Sequence, residues 1–478
     1  MYRTYQIDVY PDHPMFEYFE KLSVASTNMY NTALFVCRQV MFGVNKVPDQ
    51  RQVNEKMVLK QIEDALPLMQ ATRKKDDADP YVMPEKGKSA LSYSFLNSFF
   101  HVTHNAVYEA EGFPRKCAQQ TLKQVCQDMR AFYASLSAYR KNSAAFLGKP
   151  KPPNYKKKGR GSTFTMTNQT CLFKQNDNGE CVLQFPMYNG KKQLLPLGGY
   201  VQNDWILKQA TVVPFHGILR LRTLFDDGKT APEIIAGTGG SKRICAIDLG
   251  VTNFAAMSNN IGKPAMLIKG GVINNANHHC TRQVGKLQSQ QTNGTTTKLK
   301  STKRVRRLLI NRDNYHSDYV HKSAKVIINW CTENSIDTLV VGNNALWKQN
   351  VNIGGNTGKF ELLPYERFKS TLEYLCARTG ILFVRQEESY TSKASFLDSD
   401  VIPVYEPGDT TCYTFSGTRS GRLYKTNSGI TVNADINGSA NIGRKAFPDL
   451  FTVSNCDILS PPVVFRHPDH GLMTTTTL

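Results

Sequence analysis

Residues 243–253 read Arg-Ile-Cys-Ala-Ile-Asp-Leu-Gly-Val-Thr-Asn. Four apolar side chains, Ile244 to Ile247, run into an acid, Asp248, and Gly250 follows. A short apolar run bounded by turn signals is the pattern of a strand buried on both faces. A carboxylate at the end of such a strand projects beyond the sheet, where a ligand can approach. Alone, an Asp before a Gly is a turn former, so its meaning depends on what surrounds it. Working outward, the stretches FAAMSNN and PAMLIKGG supply the hairpin that would follow. A long helix is expected over 302–331, then a strand in DTLVVGNN, a helix in YERFKSTLEYLCARTG and a strand in ILFVRQEES. Residues 433–443 (NADINGSANIG) read as the start of a further helix. Strands alternating with helices predict an α/β domain over 241–445.

Two more acidic positions fall inside this domain. Asp435 lies near a helix start, where its bland role is capping. Asn437 and Asn441 are four residues apart and share a helix face, giving more polar groups than a cap requires. Glu387 and Glu388 close the strand ILFVRQ. Strand alternation sends adjacent side chains to opposite faces, so one of the two joins a cluster easily and the other serves as fallback. Acids gathered from strands and a helix suit phosphodiester cleavage. Mg²⁺ is a hard ion that takes carboxylate oxygens and water, and two such ions about 3.5–4 Å apart clamp the attacking and leaving oxygens.

Upstream the pattern differs. Tyr2 to Tyr10 alternates as a half-buried strand does, until Pro11 and Pro14 break it. From about Met15 to Tyr139 apolar residues recur at three and four, as in helices. Residues 148–161 (GKPKPPNYKKKGRG) are basic and rich in Pro and Gly. They read either as a solvated linker or as a strand along a phosphate backbone, with Lys149, Lys151, Lys156, Lys157, Lys158 and Arg160 as phosphate contacts and Tyr155 for stacking. Residues 162–240 hold short strands with turn signals at Asn178-Gly179 and Asn189-Gly190. The N-terminal strand would complete this small β-domain, which makes the helical block an insertion. The early half of the 302–331 helix carries Lys303, Arg304, Arg306, Arg307 and Arg312, a solvated charged face or a second phosphate contact. Lys348, after the DTLVVGNN strand, is a further backbone candidate. The tail from 446 to 478 has Pro448, Pro461, Pro462 and Pro468 and ends in a Thr run, so weak order is expected.

Charge names the class of partner. Lys plus Arg number 59 against 39 Asp plus Glu, a formal charge of +20. Phosphate backbones release counterions when such residues neutralise them, while no basic amphipathic anchor points to a membrane. Apolar residues make up 40% of the chain, enough for packed cores and against general disorder. Eleven cysteines without a CxxC pair exclude a disulfide framework or a zinc ribbon from the reading and fit a reducing compartment. With neither an apolar signal core nor a membrane span, the chain is expected in the cytoplasm, on the nucleoid of a bacterium, or in a nucleus if the host is eukaryotic. His278, His279, His316 and His321 are too loosely spaced for a metal site and read as surface or RNA contacts.

At these residues a family resemblance enters. CAIDLGVTNFAAMS resembles the first RuvC motif of TnpB-type transposon-associated, RNA-guided DNA nucleases, relatives of the type V CRISPR effectors. NADINGSANIGRKAF is similar to their third motif, TLVVGNNALWKQN to their second-motif strand, and EESYTSKASFLDSDVIP to the segment after the next strand. GKPKPPNYKKKGRGSTF and RLLINRDNYHSDYVHKSAKVI also resemble family elements. The resemblance implies a multidomain α+β protein with an RNase H-fold, RuvC-like nuclease domain over 241–445. It also implies a small β-barrel wedge domain from 1–14 and 148–240, with a helical recognition domain, 15–147, inserted in it. The implied function is Mg²⁺-dependent cutting of double-stranded DNA beside a short flanking motif, directed by a guide RNA; the oligomeric state is open, with a monomer on one RNA as the default expectation. Asp248 would be the first catalytic carboxylate and Asp435 the last, with two Mg²⁺ or Mn²⁺ ions between them. Asn253, Asn437 and Asn441 would support these acids.

Two departures qualify this. Many relatives end the second-motif strand in Glu, where this chain has Gly342-Asn343-Asn344. Glu388 at the mouth of the neighbouring strand is the expected replacement as catalytic residue and metal ligand, with Glu387 as fallback. The paired cysteines of a zinc ribbon are also missing, so no structural zinc is expected. Two alternatives stand beside the nuclease: a guided DNA-binding repressor without cleavage, motivated by the missing acid, and a transposase or resolvase of the same fold working without RNA.

Overall fold

The alternating N-terminal segment forms β1 (Tyr2–Val9), which pairs antiparallel with β7 (Ile218–Asp226), Tyr2 opposite Asp226 and Val9 opposite Leu219. The structure, a computed structural model, describes residues 1–73, 80–233, 242–292, 301–344, 362–405, 411–466 and 475–476. It divides into two units, Met1–Lys229 and Thr230–Leu478. In the first unit, four α-helices stand among the described residues between β1 and the next strand: α1 (Phe16–Gly43), α2 (Val53–Ala71), α3 (Tyr93–Val102) and α4 (Arg115–Lys141). The start of α2 is a capping box in which Gln52 and Glu55 exchange side-chain and backbone bonds. Strands β2 (Phe164–Thr167) and β6 (Ile206–Phe215) complete a sheet of order β1-β7-β6-β2. A second sheet joins β3 (Leu172–Gln175), β4 (Cys181–Tyr188) and β5 (Lys191–Pro196).

These sheets are open, which corrects the expected barrel. Closure would need β2 to pair with β1, but these are the two end strands of the sheet and no pairing joins them among the described residues, while α1 and α4 pack against β2. Phe19 of α1 packs on Phe164 and Phe185 at ring-centroid distances of 6.4 and 5.1 Å, so helix rather than strand fills that side of the core.

In the second unit the run Ile244–Asp248 is β8. It pairs antiparallel with β9 (Asn253–Asn259), which pairs antiparallel with β10 (Met266–Lys269). On the other side of β8 come β11 (Thr338–Asn343) and β12 (Leu382–Glu387), both parallel. An order of β12-β11-β8-β9-β10 with one antiparallel meander and two parallel strands is that of the RNase H fold. A further strand, β16 (Val463–Phe465), runs parallel to β10. This corrects the expectation of a weakly ordered tail: Phe451, Cys456, Ile458 and Val464 are buried, so apolar side chains between the prolines anchor residues up to 466.

Strand alternation decides which face each residue serves. Cys245, Ile247, Leu339 and Val341 pack under α6 (Lys303–Glu333) and α7 (Tyr365–Thr379). Ile244, Ala246 and Val340 lie on the opposite face, with Ile436, Ala440 and Ile442 of α8 (Ala434–Ala446). By the same period, Asp248 and Gly342 fall on the α8 face. Helix α6 pairs with α5 (Gly271–Thr292), and no described helix is long and apolar enough to cross a membrane.

Candidate active site

Asp248 stands at the carboxyl end of β8, where α8 starts. Asn433 caps α8, its side chain accepting from the Asp435 and Ile436 backbone amides. That leaves the Asp435 carboxylate, in the first turn, free for other work, and its bland reading as the cap does not hold. Gly438 brings the helix close: a Cβ there would lie 2.7 Å from Asp248 Oδ2. A side chain at 438 would therefore separate the helix from the strand that carries the acid.

Glu388 follows the end of β12. The loop after it is held by Thr391, whose amide and hydroxyl both donate to the Glu388 carbonyl. Asn441 donates to the Thr391 and Ala394 carbonyls, while Asn437 donates to Ala394 and accepts from the Phe396 amide. The two amides of α8 thus brace the segment behind Glu388 and do not reach the acids. The Glu388 carboxylate enters the space beside Gly342. A Cβ at 342 would overlap its Oε2 and lie 2.8 Å from Ile442 Cδ1. Glycine within a strand marks close approach of another group, and here that group is the glutamate.

Asp248, Glu388 and Asp435 line one cavity of about 1050 Å³, together with Thr252, Asn274, Asn344, Ser389, Tyr390, Arg419 and Arg422. Glu387 does not line it. Its carboxylate takes a 2.6 Å bond from Lys445 Nζ, which also donates to the Ser389 and Pro403 carbonyls. That places the fallback acid outside the cavity.

Charge is concentrated in the cavity. Burial pushes the Asp248 carboxyl well above the ordinary carboxylate range, and Glu388 and Asp435 push the same way. Burial also raises Glu388 to about 7, against the pull of Lys369. Lys369 is itself buried, and its Nζ donates to Asn343 Oδ1 at 2.8 Å and pairs with Glu366. Asp435 Oδ2 accepts from Asn253 Nδ2 at 2.8 Å, and Asn253 Oδ1 accepts from Lys269 Nζ at 3.1 Å. Asp435 Oδ1 accepts from Arg419 Nη2 at 2.8 Å. Glu388 Oε2 is buried with no partner among the described residues.

The donor chemistry fits a hard divalent cation: carboxylate oxygens, one of them buried without a partner among the described residues, line the cavity. The acids are not gathered into a closed cage. Among the described residues no three His, Cys, Asp or Glu side chains stand close enough to hold an ion.

Of the other residues singled out in the sequence, Lys149, Lys151, Tyr155, Lys157, Lys158 and Arg160 are exposed on the segment 148–161. This segment is laid along one polar face of α1. Asn31 bonds both backbone groups of Lys156, Arg38 donates to the Pro153 carbonyl, Thr27 to that of Arg160 and Ser23 to that of Ser162. Lys156 turns inward, its Nζ 3.9 Å from the Tyr30 ring centre, and burial lowers its pKa. Lys303, Arg304, Arg306 and Arg307 are exposed on α6, whereas Arg312 is half-buried. The buried His316 donates from Nε2 to Asn277 Oδ1 at 2.6 Å. Burial, helped by Arg312, holds its pKa down to about 4, so it packs as a neutral ring and not as a ligand or an RNA contact. Lys348, with Trp347 and Gln349, lies outside the described residues. Sequence reasoning missed Arg419, Lys369 and Lys445, which sit in ordinary charged stretches. Gly342 did carry a signal, as a glycine inside an apolar strand.

The second unit is thus an α/β domain of RNase H type that carries acids at two strand ends and on the facing helix. Residues 239–348 match the family model OrfB_IS605, a probable transposase, and residues 365–442 match the Cas12f1-like TNB domain. Both matched stretches lie within the second unit. No curated protein matches the chain. Among solved structures it is similar to a Cas12f1–sgRNA–target DNA complex at 13% identity, covering 92% of this chain and 98% of that one, with a TM-score of 0.46. It is also similar to CasPhi-2 (Cas12j) bound to crRNA, at 9% identity, 93% and 98% coverage and a TM-score of 0.39. A third is C2c1 of Alicyclobacillus acidoterrestris with single-guide RNA, at 10% identity, 91% and 70% coverage and a TM-score of 0.36.

Proposed function

We propose that this protein is an RNA-guided DNA endonuclease whose Asp248, Glu388 and Asp435 hold divalent metal at a single RuvC-like site. The observation that carries this reading is the exchange between neighbouring strands: Gly342 lacks a side chain where Glu388 places its carboxylate. The acid missing from β11 is supplied from beyond the end of β12, into the cavity that Asp248 and Asp435 share. When bound, Mg²⁺ or Mn²⁺ would activate a water and stabilise the leaving oxygen. The chain's own part is to fix the acids. Gly438 admits α8 against Asp248, Asn253 orients Asp435, and Lys445 holds Glu387 aside.

Guidance is proposed on charge and family. In guided nucleases base pairing reads the sequence and the protein needs backbone contacts. The exposed lysines and Arg160 of the segment 148–161 and Lys303, Arg304, Arg306 and Arg307 of α6 supply them. The sheets of 1–14 and 148–240 would act as the wedge, and the helices of 15–147 as the recognition domain. The test is to sequence RNA that co-purifies, then offer a matching DNA target with Mg²⁺. Cleavage is expected and should vanish in Asp248→Ala; cleavage surviving that change would end the proposal. A repressor reading is favoured by one observation, the absence of a closed three-acid group among the described residues. Tight target binding in Mg²⁺ and Mn²⁺ without nicking would decide for it.

A further inference from the structure

Both oxygens of Asp435 already have a donor. Asn253 on Oδ2 is neutral and compatible with a cation bound to the same carboxylate. Arg419 on Oδ1 is not, because its Nη2 lies 2.8 Å from an oxygen that a metal ion would need. The guanidinium and a metal ion would compete for that oxygen and repel each other, with solvent at the partly exposed Arg419 screening part of the repulsion. Arg419 lies on β13 (Thr418–Ser420), in the small sheet with β14 (Leu423–Lys425) and β15 (Thr431–Asn433) that leads directly into α8. Its Nε donates to the Gly421 carbonyl at 3.2 Å, so the guanidinium is fixed by its own hairpin turn as well as by the acid. It is also the cation that opposes the raised pKa of Asp248.

We propose that Arg419 is a built-in stand-in for the metal: it neutralises the acid cluster in the metal-free protein and must leave Asp435 before an ion can bind. This rests on the nuclease reading of the three acids and adds the control of their loading. Removing the charge at 419 should therefore tighten metal binding, the reverse of what removing a ligand does.

The test is Mn²⁺ binding to the full chain freed of nucleic acid, read by the loss of the free-ion electron paramagnetic resonance signal. Arg419→Gln should bind Mn²⁺ about fivefold more tightly than the parent, the effect expected of one partly exposed ion pair. Arg419→Lys keeps the charge and should remain near the parent. Asp435→Asn should lose binding. Equal or weaker binding in Arg419→Gln, with Asp435→Asn still defective, overturns the stand-in role and leaves the nuclease reading standing. No Mn²⁺ binding in the parent or in Arg419→Gln overturns both. Melting curves of each variant without metal check that the fold survives, and a hairpin turn on the surface tolerates the change.

Discussion

Gly342→Ala is the sharpest perturbation the structure offers, because it adds one methyl group and replaces no acid. The new carbon would lie 2.8 Å from Ile442 Cδ1 and 3.5 Å from Glu388 Cδ, and would overlap the Glu388 Oε2. Carbon atoms rest about 3.5–4.0 Å apart, so Ile442 must retreat by roughly 0.7 Å or more, and the carboxylate oxygen by more than that. Overpacking of this kind costs about 1–3 kcal/mol. Replacing a strand glycine returns roughly 0.4–1 kcal/mol through the unfolded chain. The net loss of stability is then between nothing and about 2.6 kcal/mol, a fall in melting temperature of up to several degrees for a unit this size. The chemistry should suffer far more, since a shift of about 1 Å in a catalytic group can cost 10²-fold. The assay is cleavage of a target matching the co-purified RNA, run beside thermal melting. Cleavage should drop about a hundredfold or more in a protein that stays folded. Glu388→Ala should be as inactive as Gly342→Ala, and the double variant should melt higher than Gly342→Ala alone while remaining inactive. Gly342→Ala cleaving within twofold of the parent would show that Glu388 does not act from beside Gly342.

Three further outcomes are expected. Glu388 is raised from 4.5 to about 7 on folding, so the folded state is favoured below pH 4.5. That advantage fades as pH rises to 7, by up to about 3 kcal/mol at 1.36 kcal/mol per pKa unit; melting without metal should show this slope, and Glu388→Gln should flatten it. Lys157→Ala with Lys158→Ala should weaken RNA binding and reduce the salt dependence by about one counterion per lysine, whereas Lys156→Ala should lower the melting temperature with the salt slope unchanged. Lys445→Met removes donors from the Ser389 and Pro403 carbonyls and from Glu387, and should cost about 1–3 kcal/mol with slower cleavage, measured by melting and by initial rates.

Local pattern and tertiary contact divide what the sequence could reveal. The apolar run ending in Asp248 and the strand TLVVGNN declared themselves because buried parallel strands are continuous and short, and their alternation then dictated which residues share a face. Asp435 was visible as part of a helix start, but the cap role belonged to Asn433, two residues earlier, a distinction within the usual uncertainty of helix boundaries. The barrel came with the family resemblance, because strand patterns say which residues alternate and not which edges meet; β1 and β2 end the observed sheet unpaired with each other among the described residues. The tail to residue 466 was underestimated because prolines were weighed above the buried Phe451, Cys456, Ile458 and Val464.

The cavity itself was the least legible part, and the reason lies in what makes it. Its chemistry depends on positions where side chains are absent as much as on those where they are present. Gly438 lets α8 approach Asp248, and Gly342 gives Glu388 its place. A pattern of apolar and polar residues registers both glycines as interruptions. Their contribution appears only when a helix and a neighbouring strand are laid over them, since the space is defined by three segments distant in the chain. Arg419 has the same character: in Thr-Arg-Ser-Gly-Arg it reads as an exposed hairpin charge, and only the hairpin's run into α8 places it on Asp435. A carboxylate cluster with an arginine already seated on it therefore differs from an open metal site in a way that composition cannot express, and the order of metal affinities among Arg419→Gln, Arg419→Lys and the parent follows from that contact alone.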